Sequence, residues 1–287
     1  MRPRCHQPSN TISPSSLQYP FIMTQAPSAE DQFDEQASRR LEAIYLTPDV
    51  AAQRAQVMAL LHTQPGQRAL DIGCGPGLTT QALAEAVGDQ GRVLGVDIAA
   101  PMLKIARHRC ASLPQVSFEL CDVNALPCAD ASMDIALASQ VYEYVEPIDA
   151  ALRELARVLR PGGRAVLVDT DWESAVWASH DDARMRRVLE TWNEHIPHPQ
   201  LPRTLKRRME EAGFDSVTVT VVPLLNAVYD RQTYSVGMMD MIGAFAMGRN
   251  GLSAEDIAAW KADAAAIGAE NGYFFSLSRY VFVGERS

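Results

Sequence analysis

No two cysteines in this chain are spaced as a CxxC pair, and no histidine stands at metal-ligand spacing from a cysteine. The five thiols (Cys5, Cys74, Cys110, Cys121 and Cys128) are also an odd number. The pattern argues against a disulfide framework and a structural zinc, and predicts reduced thiols in a cytoplasmic protein without a metal site. Positive charge is short as well: 26 Lys and Arg stand against 35 Asp and Glu, a formal net charge of −9. That balance disfavours neutralising the phosphates of DNA or RNA, so no nucleic-acid partner is expected. No apolar run approaches the roughly 18–20 residues that cross a bilayer, and no membrane partner is expected either.

Hydrophobic residues are plentiful, at 47% of 287. A chain of this size and composition supports one large α/β domain with an elaboration. Residues 1–30, "MRPRCHQPSNTISPSSLQYPFIMTQAPSAE", are the exception. They are rich in Pro, Ser, Asn and Gln, have no periodicity, and carry no apolar core of a signal peptide. This stretch reads as a disordered extension ahead of a natural start at Met23.

Residues 31–64 are helical in pattern and read as an N-terminal lid. Leu41, Ile44 and Tyr45 form one apolar set; "TPDV" restarts the helix with Thr47 as cap and Pro48 at the first helical position. A regular alternation follows, in which "RALDIG", "RVLGVDI", "QVSFELCD", "MDIALASQ" and "RAVLVDT" are strand-like. The stretches between them are mostly helical, and the last of these helices stops at "PGG" (Pro161 to Gly163). Strands separated by helices of ten or more residues predict βαβ units and a doubly wound, mainly parallel sheet. After Asp171 the alternation loosens. Helices are expected near 181–195, 201–213, 233–247 and 254–268, with strands at "SVTVTVVPLL" and "YFFSLSRYVFVGER". The domain therefore spans 65–287, with cap insertions at about 172–213 and 226–270.

"ALDIGCGPG" (Ala69 to Gly77) places three glycines on alternate positions directly after a buried strand. A tight turn is one reading. The other is a ligand that must approach the main chain at a helix N-terminus, outside the carboxyl ends of the strands. Asp97, at the end of "GVDI", lies about twenty residues past Gly77, the place from which a carboxylate grips both hydroxyls of a ribose. Asp122, in "CDVNALP", ends the third strand and is placed to accept from an adenine amino group, with the Val123 amide at the ring. A dinucleotide would favour a further glycine where Leu78 stands. Asp71, buried in the first strand, instead suits a cofactor whose tail carries an ammonium group.

These segments resemble the motifs of the class I S-adenosylmethionine-dependent methyltransferases. "LDIGCGPG" is similar to that family's first motif, "GVDI" to its second and "CDVNALP" to its third. "MDIALASQVYEYV" and "ELARVLRPGGRAVLVD" resemble the later ones. The resemblance covers about residues 65–170 and is nearest to the small-molecule branch of ubiquinone/menaquinone-type enzymes. It implies S-adenosyl-L-methionine as cofactor and a Rossmann-like seven-stranded sheet whose last strand is antiparallel. It also implies that Gly73, Gly75 and Gly77 line the methionine tail. Asp97, with Ile98 beside it, would take the ribose, Asp122 and Val123 the adenine, and Gln140 would sit near the sulfonium. Tyr45 is expected to fold over the cofactor from the lid.

Methyl transfer from a sulfonium needs positioning and a dry pocket more than it needs a base. The acceptor is expected to be a small organic molecule methylated at S, N, O or C. Tyr142, Asp171 and His195 are the catalytic candidates, with Asp169 and His198 as further bases and Trp172 as a stacking surface. "YSVGMMDMIGAFAMG" reads either as an apolar pocket wall or as an ordinary core helix. An NAD-dependent oxidoreductase and a non-catalytic nucleoside-binding protein are the rival readings, and a homodimer is left open.

Overall fold

The computed structural model describes residues 35–287, so the disordered extension expected at 1–30, Cys5 within it, and the first residues of the lid lie outside the described residues. Two helices come first, α1 (Glu35–Tyr45) and α2 (Pro48–Leu61). Then follow β1 (Arg68–Ile72), α3 (Leu78–Val87), β2 (Arg92–Asp97), α4 (Ala100–Arg109), β3 (Val116–Leu120), β4 (Met133–Ser139), α5 (Ile148–Val158) and β5 (Leu159–Thr170). The remaining elements are β6 (Val176–Trp177), α6 (Asp182–Trp192), α7 (Pro202–Glu211), β7 (Phe214–Asn226), α8 (Tyr234–Ala246), α9 (Ala254–Ala269) and β8 (Phe275–Arg286).

The strands form one sheet in the order β3-β2-β1-β4-β5-β8, with β7 on the far side of β8. β1 to β5 pair in parallel, and β8 runs antiparallel to both β5 and β7. This is the doubly wound, Rossmann-like sheet expected from the sequence. The two-residue β6, too short to leave a periodic signal, adds an eighth strand beside the start of β8. Chain order reverses between β1 and β4, which opens a crevice at their carboxyl ends.

Alternate residues of the central strands feed different cores. Leu70, Ile72, Ala136 and Leu167 pack with α5 and α7 through Leu152, Leu155, Leu205 and Met209. Ala69, Ile135, Leu137 and Val166 pack on the opposite face with α2 and α3 through Val57, Leu61, Leu83 and Val87. A third core belongs to the segments after β5. It holds all four tryptophans, Trp172, Trp177, Trp192 and Trp260, with Met238, Met239 and Ile242 of α8, and takes in Ile44 and Val50 of α1 and α2. The methionine-rich stretch is thus packing. Met238 and Met239 are buried in this core, and Met247 lies exposed beyond the helix.

Two local expectations differ from the structure. Thr47 precedes α2 without a side-chain cap; its hydroxyl donates 2.7 Å back to the Ile44 carbonyl and so tightens the turn between the two helices. "PGG" does not separate helix from strand, because α5 ends at Val158 and β5 starts at Leu159. The glycines lie instead in a bulge where the partner of β4 jumps from Leu159 to Arg164. A bulge lets a strand carry extra residues without losing its pairing on either side.

Gly77, expected to line a ligand, has a packing role. It caps α3 at φ +78°, and a Cβ there would stand 2.9 Å from the Ala106 backbone on α4. Gly77→Ala is therefore expected to destabilise the domain by roughly 1–3 kcal/mol, read as a lower urea midpoint with unchanged m-value.

Candidate functional site

The loop after β1 is held by the neighbouring strand. Cys74 donates its amide to the Val96 carbonyl at 2.9 Å, and Gly75 donates 2.8 Å to Oδ2 of Asp97. The other oxygen of Asp97 accepts from the Ala99 amide at 2.8 Å. One carboxylate at the end of β2 thus ties the glycine loop to the start of α4. Burial raises its pKa against the opposing pull of the Ala99 and Gly75 hydrogen bonds.

The glycines divide by what surrounds them. At Gly73 (φ +60°) a Cβ would fall 2.3 Å from Val141 Cγ2, so the side chain is missing because the loop after β4 packs there. At Gly75 (φ +51°) a Cβ would meet no heavy atom within 4 Å. That position faces open space.

The space is a cavity of about 290 Å³ at the carboxyl ends of β1, β2 and β4, roofed by α1 and α2. Tyr45, Asp71, Gly73, Gly75, Asp97, Ile98, Asp122, Val123 and Gln140 all line it; Gly77 does not. Asp71 is buried and accepts 2.5 Å from the Thr80 hydroxyl, and desolvation lifts its pKa to about 7. Asp122 is exposed and accepts from the Asn124 amide at 2.8 Å, which starts a short turn at Val123. Gln140 adopts φ +60° at the end of β4, with its side-chain amide held by the Thr170 hydroxyl and, at 3.4 Å, by Glu143 Oε1. Burial pushes the Tyr45 phenol up, so it stays protonated.

The three catalytic candidates lie elsewhere. Tyr142 is fully buried in the core beneath the sheet, and its neighbour two residues on, Tyr144, lines the cavity instead. The short helical turn after β4 sends these two side chains to different places. Asp171 accepts from the Glu173 amide and from Arg203 through Nε (2.9 Å) and Nη2 (3.1 Å), a structural ion pair. His195 stacks on Trp192 with ring centroids 3.8 Å apart and meets Trp172 edge-on. Its Nδ1 faces the Trp192 carbonyl, and burial lowers its pKa to about 4. His198 bonds the Val145 carbonyl, and Trp172 lies in the tryptophan core.

Several cavity groups carried no recognisable motif. Arg279, on β8, is 3% exposed and donates through Nη1 to Gln53 Oε1 at 2.6 Å. Gln53, on α2, donates in turn to the Val222 carbonyl at 2.7 Å, which pins the lid helix to the sheet. Glu143 is fully buried beside Asp169; its amide donates to Asp169 Oδ1 at 3.3 Å, and its Oε2 accepts from the Thr170 amide. Burial and mutual repulsion hold this carboxyl pair above the ordinary range. Arg279 was not among the residues expected from the sequence, although a lone arginine inside the apolar "SRYVFVG" is a signal that could have found it. Among the described residues, no three His, Cys, Asp or Glu side chains form a metal-binding group.

With this geometry in hand, likeness to known proteins becomes informative. A family model described as "Methyltransferase domain" matches residues 70–167. A 37.1 kDa protein of Streptomyces fradiae transposon TN4556 is 36% identical over 194 residues, covering 67% of this chain and 55% of that protein. The 2-phytyl-1,4-naphtoquinone methyltransferase of Thermosynechococcus vestitus is 42% identical over 172 residues, 55% of this chain and 76% of the relative. Among solved structures, Haemonchus contortus phosphoethanolamine N-methyltransferase 2, in complex with phosphomonomethylethanolamine and S-adenosylhomocysteine, superposes with a TM-score of 0.59 at 16% identity. That superposition covers 90% of this chain and 59% of the other. The chain spans about half the length of several curated relatives that it matches.

His195 supplies a check on the site's boundaries. Its folded pKa lies below the ordinary histidine value, so its contribution to stability is complete above about pH 6.5 and is lost as pH falls towards 4. Thermal melts across that window are expected to show a loss that His195→Phe reduces, with ligand affinity at neutral pH unchanged.

Proposed function

Because the chain belongs to the class I S-adenosylmethionine-dependent methyltransferases, we propose that it binds S-adenosylmethionine and transfers the methyl group to a small organic acceptor. The observation that carries this is the open face of Gly75 beside the Asp97 carboxylate. A main chain stripped of side chains admits an adenosyl group at van der Waals distance, and the adjacent acid offers acceptor lone pairs to ribose hydroxyls. The Asp97 oxygens accept from the Gly75 and Ala99 amides, and a carboxylate has about four lone-pair sites, so acceptor capacity for a hydroxyl remains.

The remaining residues fit the parts of that cofactor. Asp122 and the Val123 amide stand on the cavity rim for the adenine. Asp71 and the loop carbonyls present negative charge to the ammonium of the tail. Arg54, a cavity-lining guanidinium on α2 that bonds the Tyr45 carbonyl, supplies a counter-charge for the tail carboxylate. When bound, S-adenosylmethionine supplies a sulfonium methyl already activated for in-line displacement. The protein's part is to position the acceptor near Gln140 and exclude water. The α1–α2 roof does the excluding, with the protonated Tyr45 at its edge.

Titration calorimetry with S-adenosylmethionine and S-adenosylhomocysteine tests the reading, with NAD as the competing ligand. Asp97→Ala is expected to weaken binding roughly 10- to 100-fold, or about 1.5–3 kcal/mol, the scale of charge-assisted hydrogen bonds. Equal affinity in the variant, or preference for NAD, overturns it.

Asp71 adds a pH signature. A carboxyl with a pKa raised to about 7 is partly protonated at neutrality, and a cationic ligand favours its ionised form. Binding is therefore expected to release protons near pH 6–7 and to tighten as pH rises through that window. Calorimetry in buffers of different ionisation enthalpy reads the released protons, and Asp71→Asn is expected to abolish them.

A further inference from the structure

Two guanidinium groups line the cavity, Arg54 and Arg279, and neither forms an ion pair among the described residues. The cofactor assigned above carries one carboxylate. Arg279 is therefore a second cation with no ion-pair partner among the described residues, and it is the more deeply buried. Nη1 is engaged by Gln53, and the Tyr234 hydroxyl also meets the guanidinium; Nε and Nη2 are buried without a hydrogen-bond partner. Its charge rests partly on the Tyr234 ring, 5.0 Å from the guanidinium carbon.

The vacant edge has a specific geometry. Nε–H and one Nη2–H point the same way, matching the two oxygens of a carboxylate. This molecule uses that edge twice. Arg203 grips Asp171 through Nε and Nη2 at 2.9 and 3.1 Å, and Arg157 grips Glu154 through the same atoms at 2.7 and 2.8 Å. A buried donor pair left open costs the full desolvation of both groups, so a partner that fills it is strongly favoured.

Place in the sheet separates this edge from the cofactor's tail. Arg279 pairs with Thr170 at the end of β5, and β4 and β5 stand between β8 and the glycine loop of β1. At about 4.8 Å per strand, that sets it roughly 14 Å across the sheet from β1, beyond Gln140 on the acceptor's side. Glu143 faces it from the turn after β4 and Asp169 from β5, with the phenols of Tyr45 and Tyr234 completing the surroundings. Neither carboxyl forms an ion pair with it.

Resting on the methyl-transfer reading, we propose that Arg279 is the anchor for the methyl acceptor and that this acceptor is a small organic acid, held by its carboxylate on the Nε–Nη2 edge. A small turn of the guanidinium on its flexible stem, with Nη1 kept on Gln53, brings the covered edge to the ligand. The carboxylate fixes one end of the acceptor, and the nucleophilic atom then lies towards Gln140.

The test uses full-length protein with isotope-labelled arginine, following the Arg279 Nε–H resonance assigned through the backbone. Acetate and benzoate are titrated with and without S-adenosylhomocysteine, with acetamide and benzamide as neutral controls. The expected result is a saturable shift with benzoate, none with benzamide, and retention of the response when S-adenosylhomocysteine is bound. Arg279→Lys keeps the charge but loses the fork; it is expected to weaken benzoate at least about tenfold while leaving S-adenosylhomocysteine affinity within about twofold. No saturable response to either acid overturns the inference. So does a shift caused by S-adenosylhomocysteine itself that then excludes benzoate, since the edge would belong to the cofactor. The wild-type titration decides even where the variant does not fold. Failure of S-adenosylhomocysteine to bind defeats the methyl-transfer reading instead, and the carboxylate response is read separately from it.

Discussion

Everything at the cavity depends on the carboxylate of Asp97 holding two backbone amides from different connections, Gly75 after β1 and Ala99 at the start of α4. The loop after β1 is also held by the Gly77 amide on the Cys74 carbonyl and by Arg109 on the Pro76 carbonyl. Glycines at positive φ gain flexibility in the unfolded chain and lose it on folding, so an ordered run of them needs an external tether. A charge-assisted bond from the neighbouring strand supplies that tether, with the Cys74–Val96 backbone bond beside it. The same carboxylate keeps acceptor capacity towards the cavity. On the proposed reading, structure and binding would therefore draw on one group, and a ligand hydroxyl would complete an arrangement the fold has already made.

The second constraint is the roof. Helix α2 is pinned by Gln53, which donates to the Val222 carbonyl and accepts from Arg279. Ile44 and Val50 add the roof to the tryptophan core built by α6, α8 and α9. A short amphipathic hairpin of helices has little stability of its own, and here it takes its position from that cap. Apart from Arg279, the segments after Asp171 accordingly shape the site without lining it. They carry the largest apolar side chains in the chain and bury them away from the cavity, leaving β8 to deliver one polar group inward.

How much of this could be read from residue order follows from the same division. The sheet, its parallel pairing and the ligand loop were legible because β1 to β5 alternate with helices and because glycine spacing and strand-end acids are local signals. Gly77 looked like part of that signal, yet its missing side chain is required by Ala106, 29 positions along the chain, a contact no local pattern encodes. Tyr142, Asp171 and His195 were chosen as polar groups near the right edge of the sheet. Edge position does not set direction, however. The turn after β4 buries Tyr142 and exposes Tyr144 to the cavity, Arg203 captures Asp171, and Trp192 covers His195. Arg279 escaped notice for the complementary reason. It stands out because its Nε and Nη2 lack hydrogen-bond partners, and that is visible only in three dimensions.

The charge pattern across the cavity ties these points together. At one end, the Asp97 and Asp71 carboxyls meet a loop of backbone dipoles; at the other stands a buried guanidinium beside a carboxyl pair whose pKa values burial and repulsion raise. An apolar pocket would bind a planar acceptor by area alone and would discriminate poorly between isosteres. A pocket with a fixed, unpaired cation discriminates sharply, because a neutral competitor leaves that cation without a partner and pays its desolvation in full. The acidic end disfavours an anion and suits an ammonium group. The basic end does the reverse. On the proposed reading, a cleft polarised in this way would orient two oppositely charged molecules before any chemistry begins, with each end assigned to a different strand of one sheet.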